Sequence, residues 1–388
     1  MKRILIVNNN LHIGGVQKAL INLLWAIQDK YDVTLALFCG EGSLQNELPP
    51  GVRVMKISSA YRFLGMTRDD VRNRPLLYLG RSFFAAVTRL FGRDKAIALM
   101  ALTQKRISGF DVVISYLHDS KDKAFYGGCN DFVLRHVDAK RKITFLHCDY
   151  KLCGADTVDN AGRYSQFDVI AACSQGCAQS FLSANPSLAD RVRVVYNCHR
   201  TDRILRDAQE AEVNLPQGRI NLVTVARLGA EKAVPRAIAA LAMLGEMNYS
   251  YHYYIIGDGA QRRQLEERIS VLNLTEKVTL LGAMGNPYGY IRACDFLLIP
   301  SVSEAAPMVI GEAARLGTPV LTTRTSSAEE MVAVPGIGWV CDNSVQGLAE
   351  GLKMLLDNPD ALRKKKEALS GSHPEDREAL EGFLRLLE

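Results

Sequence analysis

ILIVNNNLHIGGVQKALINLLWAIQ, residues 4–28, decides the fold. The apolar run Ile4 to Val7 stops at Asn8-Asn9-Asn10, too soon for a signal core or a membrane span. It reads as a buried parallel strand, and no targeting segment is expected. Gly14-Gly15 then suit a tight turn, because glycine admits backbone angles other residues avoid. Val16, Leu20, Leu23 and Leu24 follow at helical spacing. Strand, glycine turn and helix make a βα unit.

The same alternation runs downstream. DVTLALF (32–38), DVVISYL (111–117), KITFLH (142–147) and VIAACS (169–174) are short β-rich runs between helical stretches, as a doubly wound sheet requires. A second series starts at INLVTVARL (220–228) and continues through YHYYIIG (251–257), VTLLG (278–282), DFLLIP (295–300), TPVLTT (318–323) and IGWVCD (337–342). At 388 residues the chain is long for one core and comfortable for two. The expected class is α/β, with two Rossmann-like, doubly wound parallel-sheet domains. Their boundaries are 1–200 for the first, 201–217 for a charged linker, 218–370 for the second and 371–388 for a C-terminal helix. That last stretch, HPEDREALEGFLRLLE, is amphipathic through Leu380, Phe383, Leu384 and Leu387. It either crosses back to the first domain or stays on the second. Ligands of such sheets lie beyond the carboxyl ends of the strands, so two facing domains are expected to enclose a cleft.

Composition narrows the classes. Apolar residues at 48% and charged residues at 23% are globular values, and a net charge of +5 is too mild to indicate nucleic acid. Nine cysteines, an odd number without a CxxC pair, suit reduced thiols and a cytoplasmic protein. Cys148 with Cys153 and Cys173 with Cys177 are poorly spaced for a metal, and no metal or cofactor is expected.

Chemistry concentrates in SVSEAAPMVIGEAARLGTPV, residues 301–320. Pro307 suits a first helical position, which leaves Glu304 in the loop entering a helix and Glu312 in its second turn. A carboxylate accepts from two hydroxyls at once, as a ribose diol or a sugar ring offers. The helix N-terminus suits a phosphate. The ligand described is a nucleotide sugar. Its diphosphate needs cations, and TVARLGAEKAVPRAIAAL (224–241) supplies Arg227 and Lys232 between a predicted strand and helix. Asp258, between glycines in GDG, reads as a helix N-cap.

Arg227, four residues, Lys232, then Glu304-x7-Glu312-Ala313 resembles the donor signature of the retaining GT-B glycosyltransferases of family GT4. GGVQKAL (14–20), IIGDGAQRRQLEERI (255–269), VTLLGAM (278–284) and EAARLGTPVLTT (312–323) match in the same order. The resemblance runs from Lys2 to about Leu369, strongly in the second half and weakly between about Ser59 and Phe110. It implies that the amides of Gly14 and Gly15 approach donor phosphates or acceptor, and that His147 touches the transferred sugar. His118 is the weaker alternative. It further implies that Ala283 reads the base through its backbone and that Ala305, Ala306, Met308 and Val309 line the donor. Arg227, Lys232, Glu304 and His147 are the catalytic set. Departures from the family bear on specificity. Glu304-Ala305-Ala306-Pro307 stands where Glu-Gly-Phe-Pro is common, Ser326-Ser327 where glycines are common, and Cys198 follows Asn197 in place of glycine.

The resemblance implies a metal-independent hexosyltransferase for cell-surface polysaccharide or glycolipid, in which Glu304 orients sugar hydroxyls and is not a nucleophile. A UDP-sugar is the first expectation and a GDP-sugar the second, on their frequency among such enzymes rather than on any residue. The alternatives are a noncatalytic partner subunit on the same fold and a nucleotide-sugar epimerase. Residues 62–106 carry Arg62, Arg68, Arg72, Arg74, Arg81, Arg89, Arg93, Lys95, Lys105 and Arg106 against Asp69, Asp70 and Asp94. Leu76, Leu77, Phe83, Phe84, Val87, Leu90 and Phe91 interleave with them. That composition suits either peripheral contact with an anionic membrane near a lipid-linked acceptor or a hairpin packed on the first domain.

Overall fold

The computed structural model describes residues 1–247, 249–371 and 376–388. Two compact units emerge, one of Met1–Cys198 with Asp376–Glu388, the other of His199–Glu375. In the first, β1 (Arg3–Asn8), β2 (Asp32–Leu37), β3 (Arg53–Lys56), β4 (Ile107–Ser115), β5 (Val137–Leu146), β6 (Val169–Ala172) and β7 (Val192–Val194) pair in the order 3-2-1-4-5-6-7, all parallel. Chain order reverses between β1 and β4.

The unbroken apolar run of β1 has a structural cause. Side chains alternate across a strand, and Ile4 and Ile6 enter one core while Leu5 and Val7 enter the other. A parallel sheet covered on both faces needs such continuous hydrophobicity, without polar alternation. Behind β1 the asparagines are buried structural groups. Asn10 donates from its side chain to Gly65 O at 2.8 Å, and Asn8 to Asn10 O at 3.0 Å. Gly14 is the N-cap of helix Gly15–Ile27 with φ −172°, an extended angle open to any residue, so backbone freedom does not explain this glycine.

The second unit orders β8 (Ile220–Val225), β9 (Tyr251–Ile256), β10 (Val278–Gly282), β11 (Phe296–Ile299), β12 (Val320–Thr323) and β13 (Gly338–Cys341) as 10-9-8-11-12-13, again all parallel. Its reversal falls between β8 and β11. Leu222 and Leu298 face one core, Val223 and Leu297 the other.

Several expectations change. Thr201–Glu210, expected within a linker, is a helix whose Ile204 and Ala208 are buried against Ile291 and Ile310. The i, i+4 apolar pair was masked by the surrounding charge. The helix Arg377–Leu386 belongs to the first unit, where Ala379, Phe383 and Leu386 join the core of Ile4 and Ile6. Residues 372–375 of the expected C-terminal segment lie outside the described residues. Asp258 caps no helix, because the helix after GDG starts at Arg262. The turn instead seats the loop leaving β8: Leu228 N donates to Asp258 O at 2.9 Å, and a Cβ on Gly257, at φ +142°, would lie 1.8 Å from Ala226 O. Arg93 is not a surface cation. It is 2% exposed, 2.6 Å from Asp119 and 2.9 Å from Asp131.

Candidate functional site

In the second unit the loops leaving β8 and β11 flank the point where strand order reverses, the place where parallel sheets bind ligands. The β8 loop carries Arg227 and Lys232, and the β11 loop carries Ser301 and Glu304. Backbone joins them, Val302 N donating to Glu231 O at 2.9 Å. Side chains join them as well. Lys232 Nζ donates to Glu304 Oε1 at 2.6 Å, and Ser301 Oγ donates to the same oxygen at 2.6 Å. Ser326, which stands where the resembled family favours glycine, donates from Oγ to Glu304 O at 2.9 Å. Glu304 is therefore fixed from both its backbone and its side chain.

Arg227 is not part of this knot. It extends into solvent and pairs with Glu231 Oε1 at 2.6 Å, its side chain 75% exposed. Such a pair contributes little to stability and leaves the guanidinium able to swing.

Pro307 is the N-cap, and the helix runs Met308–Arg315. Expected as first helical residue, Pro307 is one position earlier, its ψ of 120° still extended. Glu312 is buried in the second turn and accepts from the hydroxyl of Tyr288 at 3.2 Å. Burial raises the pKa of that tyrosine, and the Glu312 charge raises it further, so the phenol stays a donor. His199 lies against the first turn, its Nε2 3.1 Å from Met308 O. Gly311 permits this approach, since a Cβ there would meet the imidazole at 2.3 Å. Ala305, Ala306, Met308 and Val309 occupy the passage from Glu304 into this helix, and Ala283 directly follows β10.

In the first unit, Gly14 and Gly15 open the helix after β1, while His118 and His147 follow β4 and β5. Tyr116 and Phe145 pack on His147, with ring centroids at 4.8 and 5.6 Å. His147 Nε2 and His118 Nδ1 are buried without a hydrogen-bond partner. Burial lowers the pKa of His147 to about 3, with a further contribution from His118; burial lowers His118 to about 4. Both rings are neutral at pH 7. A buried orphan nitrogen is uncommon in folded proteins.

The sequence reading missed Ser301, Tyr288 and Ser326 as holders of the two glutamates. Ser301 was legible as the polar residue three positions before Glu304. Tyr288, 24 positions from Glu312, carried no local signal.

Residues 206–370 match the family model described as Glycosyl transferases group 1. They form a group 1 glycosyltransferase domain. Among curated relatives, the 2-deoxystreptamine glucosyltransferase of Streptomyces kanamyceticus is 27% identical over 206 residues, 49% of each chain. The N-acetylgalactosamine-N,N'-diacetylbacillosaminyl-diphospho-undecaprenol 4-alpha-N-acetylgalactosaminyltransferase of Campylobacter jejuni is 29% identical over 203 residues, 52% of this chain and 54% of that one. The chain thus spans about half the length of these relatives. Among solved structures, Anabaena HepE in complex with UDP-glucose superposes with a TM-score of 0.69 at 18% identity, covering 100% of this chain and 98% of that one. At that identity the likeness concerns the fold, and the group 1 domain lies within a GT-B architecture of two Rossmann-like units.

Proposed function

We propose that this group 1 glycosyltransferase moves a sugar from a nucleoside-diphosphate sugar to a glycan or lipid-linked acceptor, with retention at the anomeric carbon, in polysaccharide or glycolipid synthesis. The contact of Lys232 with Glu304 carries the reading, because it brings a phosphate-type cation and a hydroxyl-binding carboxylate together at the strand-order reversal. Arg227, Lys232 and the first amides of helix Met308–Arg315 neutralise the departing diphosphate, a charge that grows in the transition state. Glu312 holds the ribose diol and Glu304 the sugar hydroxyls. Ala283, Ala305, Ala306, Met308 and Val309 contribute backbone and walls. In the first unit, His147 is assigned to the transferred sugar, with His118 second, and the amides of Gly14 and Gly15 to phosphate or acceptor.

In the transfer, the bond from the anomeric carbon to the diphosphate oxygen breaks and a bond to the acceptor oxygen forms on the same face. The acceptor proton passes to the leaving diphosphate. The protein's own cations suffice for the leaving group, so activity is expected to survive EDTA. UDP-glucose bound to HepE supports a UDP-sugar, with a GDP-sugar second. A thermal-shift screen against UDP, GDP and ADP tests the donor site, since a ligand of the native state must raise its stability. The expected result is a shift for one nucleotide that Arg227→Ala and Glu312→Ala abolish. No shift at millimolar nucleotide would favour a noncatalytic partner.

The Campylobacter relative is named for a diphospho-undecaprenol substrate, and one surface of this chain suits a lipid-linked acceptor. In helix Pro75–Phe91, Leu76, Leu79, Phe83 and Leu90 are 83%, 63%, 54% and 72% exposed. Their spacing of i, i+3, i+7 and i+14 places them on one face. Phe84, on the other side, is buried against Phe63. The helix contains Arg81 and Arg89 and no acidic residue. Arg89 is exposed, whereas Arg81 donates to Met66 O at 2.8 Å and lies over the Phe125 ring. An exposed apolar stripe with a free cation beside it and no anion on the helix fits an anionic lipid surface. No described helix is long and apolar enough to cross a membrane. The proposed location is peripheral, on the cytoplasmic face of a membrane. Flotation with phosphatidylglycerol vesicles but not phosphatidylcholine vesicles is expected, and loss in Leu79→Asp/Phe83→Asp. Flotation with neither, or a dimer that this variant disrupts, would overturn it.

A further inference from the structure

Four cysteines gather behind His147, and two of them are within reach of each other. Cys148 directly follows His147, and its Sγ is 3.1 Å from the Sγ of Cys153. Both are half-buried, while neighbouring Cys173 and Cys177 are buried. The segment joining the pair is held in place. Asp149 Oδ1 accepts from Ser180 Oγ at 2.6 Å and from Leu152 N at 3.2 Å, and Cys153 N donates to Asp149 O at 3.0 Å. Cys177 Sγ donates to Cys148 O at 3.1 Å and so steadies the backbone on the far side of His147.

We propose that Cys148 and Cys153 form a peroxide-sensitive dithiol switch that sets the position of His147. Approach to the disulfide separation of about 2.05 Å requires only about 1 Å of sulfur movement. The Cys153 thiolate attacks a peroxide oxygen, the O–O bond breaks, and Cys153 becomes a sulfenic acid as hydroxide leaves and takes up the proton that Cys153 released on ionising, giving one water. The Cys148 sulfur then displaces the hydroxyl as a second water, and the S–S bond forms. Two thiols are oxidised and one peroxide is reduced. The order of attack follows from the contact: the Cys148 S–H steadies a thiolate at Cys153 and lowers its pKa, while the same contact and burial raise that of Cys148.

Pulling Cys148 toward Cys153 draws its carbonyl from Cys177 and turns the adjoining His147. The site of the second unit contains no residue of this loop. The oxidised protein is therefore expected to keep its nucleotide-induced thermal shift and to lose turnover. The loss of turnover rests on the role proposed for His147; bond formation does not.

The experiment treats the reduced full chain with stoichiometric hydrogen peroxide and follows intact mass, disulfide-mapped peptides, nucleotide thermal shift and transfer. The expected result is a loss of about 2 Da, the two thiol hydrogens, mapped to Cys148–Cys153, reversed by dithiothreitol and absent in Cys153→Ser. Transfer should fall at least tenfold in step with the crosslink and return on reduction. A crosslink to Cys173 or Cys177, oxygen addition without a crosslink, or an unchanged mass would overturn the pairing. The crosslink with undiminished transfer would overturn the switch. No transfer even when reduced would count against the glycosyltransferase reading, and the mass data would still decide the pairing.

Discussion

Glu304→Gln should bind free nucleoside diphosphate more tightly than the native chain, although a nucleoside diphosphate lacks the transferred sugar whose hydroxyls are proposed to meet Glu304. Without ligand, Lys232 Nζ lies 2.6 Å from Glu304 Oε1, with the two side chains 25% and 9% exposed. A hydrogen bond to a charged group in such a setting is worth about 1.5–3 kcal/mol, and a charge-assisted bond is about twice as strong as a neutral one. The introduced glutamine keeps the shape and an acceptor for Lys232 and Ser301, so about half of the pair is lost, roughly 0.8–1.5 kcal/mol. At about 1.4 kcal/mol per decade, a lysine that must leave Glu304 to reach phosphate gives about 4- to 12-fold tighter binding in the variant. Titration calorimetry with UDP and GDP at fixed ionic strength measures this, and a Lys232→Ala background should erase the difference between the native glutamate and its glutamine replacement. Unchanged or weaker binding in Glu304→Gln would mean that Lys232 serves carboxylate and phosphate together through separate N–H groups. The two subsites would then not compete.

Arg227→Ala should leave the melting temperature of the free protein unchanged, because its pair with Glu231 is exposed, yet reduce the nucleotide-induced shift; a lower melting temperature without ligand would contradict this. Tyr288→Phe removes a donor from buried Glu312 and should cost about 1–3 kcal/mol in urea unfolding, with weaker nucleotide binding; a neutral result would deny Tyr288 its supporting role. Stability should be complete above pH 6.5 and fall as pH is lowered toward 4 and then 3. His147 and His118 resist protonation in the folded protein until about 3 and about 4, while the unfolded chain takes up those protons near 6.5. Each histidine contributes a slope of roughly 1.4 kcal/mol per pH unit within its window. Urea midpoints at pH 7 and pH 5 check this, and His147→Gln should flatten the dependence.

The fold was legible where burial leaves no choice. Leu5 and Val7 face one core and Ile4 and Ile6 the other, so β1 had to be an unbroken apolar run, and the same logic marked both strand series. Where helices have one wet face, charge obscured them. Ile204 and Ala208 anchor a helix inside a stretch dense in Arg, Asp and Glu, and it read as a connector. Arg93 shows the reverse. The nearest cations in sequence, Arg89 and Lys95, are exposed, but Asp119 and Asp131, which draw Arg93 into the interior, are 26 and 38 positions away.

The site divides along the same line. Residues proposed to meet the ligand were visible because their chemistry and spacing are local, as with Glu304, Glu312 and the opening of helix Met308–Arg315. Residues that hold them were not, because a support is chosen by distance in space. This division has a consequence for specificity. Glu304 is restrained by Ser301, Ser326 and Lys232 and cannot adapt its position cheaply, whereas Arg227 is exposed and able to swing. A diphosphate is common to every nucleoside-diphosphate sugar and tolerates a mobile partner. Sugar hydroxyls differ by orientation alone, and discrimination among them needs a carboxylate fixed before the donor arrives. Ser326→Gly should therefore loosen the choice among donor sugars while leaving affinity for the free nucleotide unchanged. Competition between two UDP-sugars reads this out, and an unaltered preference would show that Ser301 and Lys232 suffice to fix Glu304.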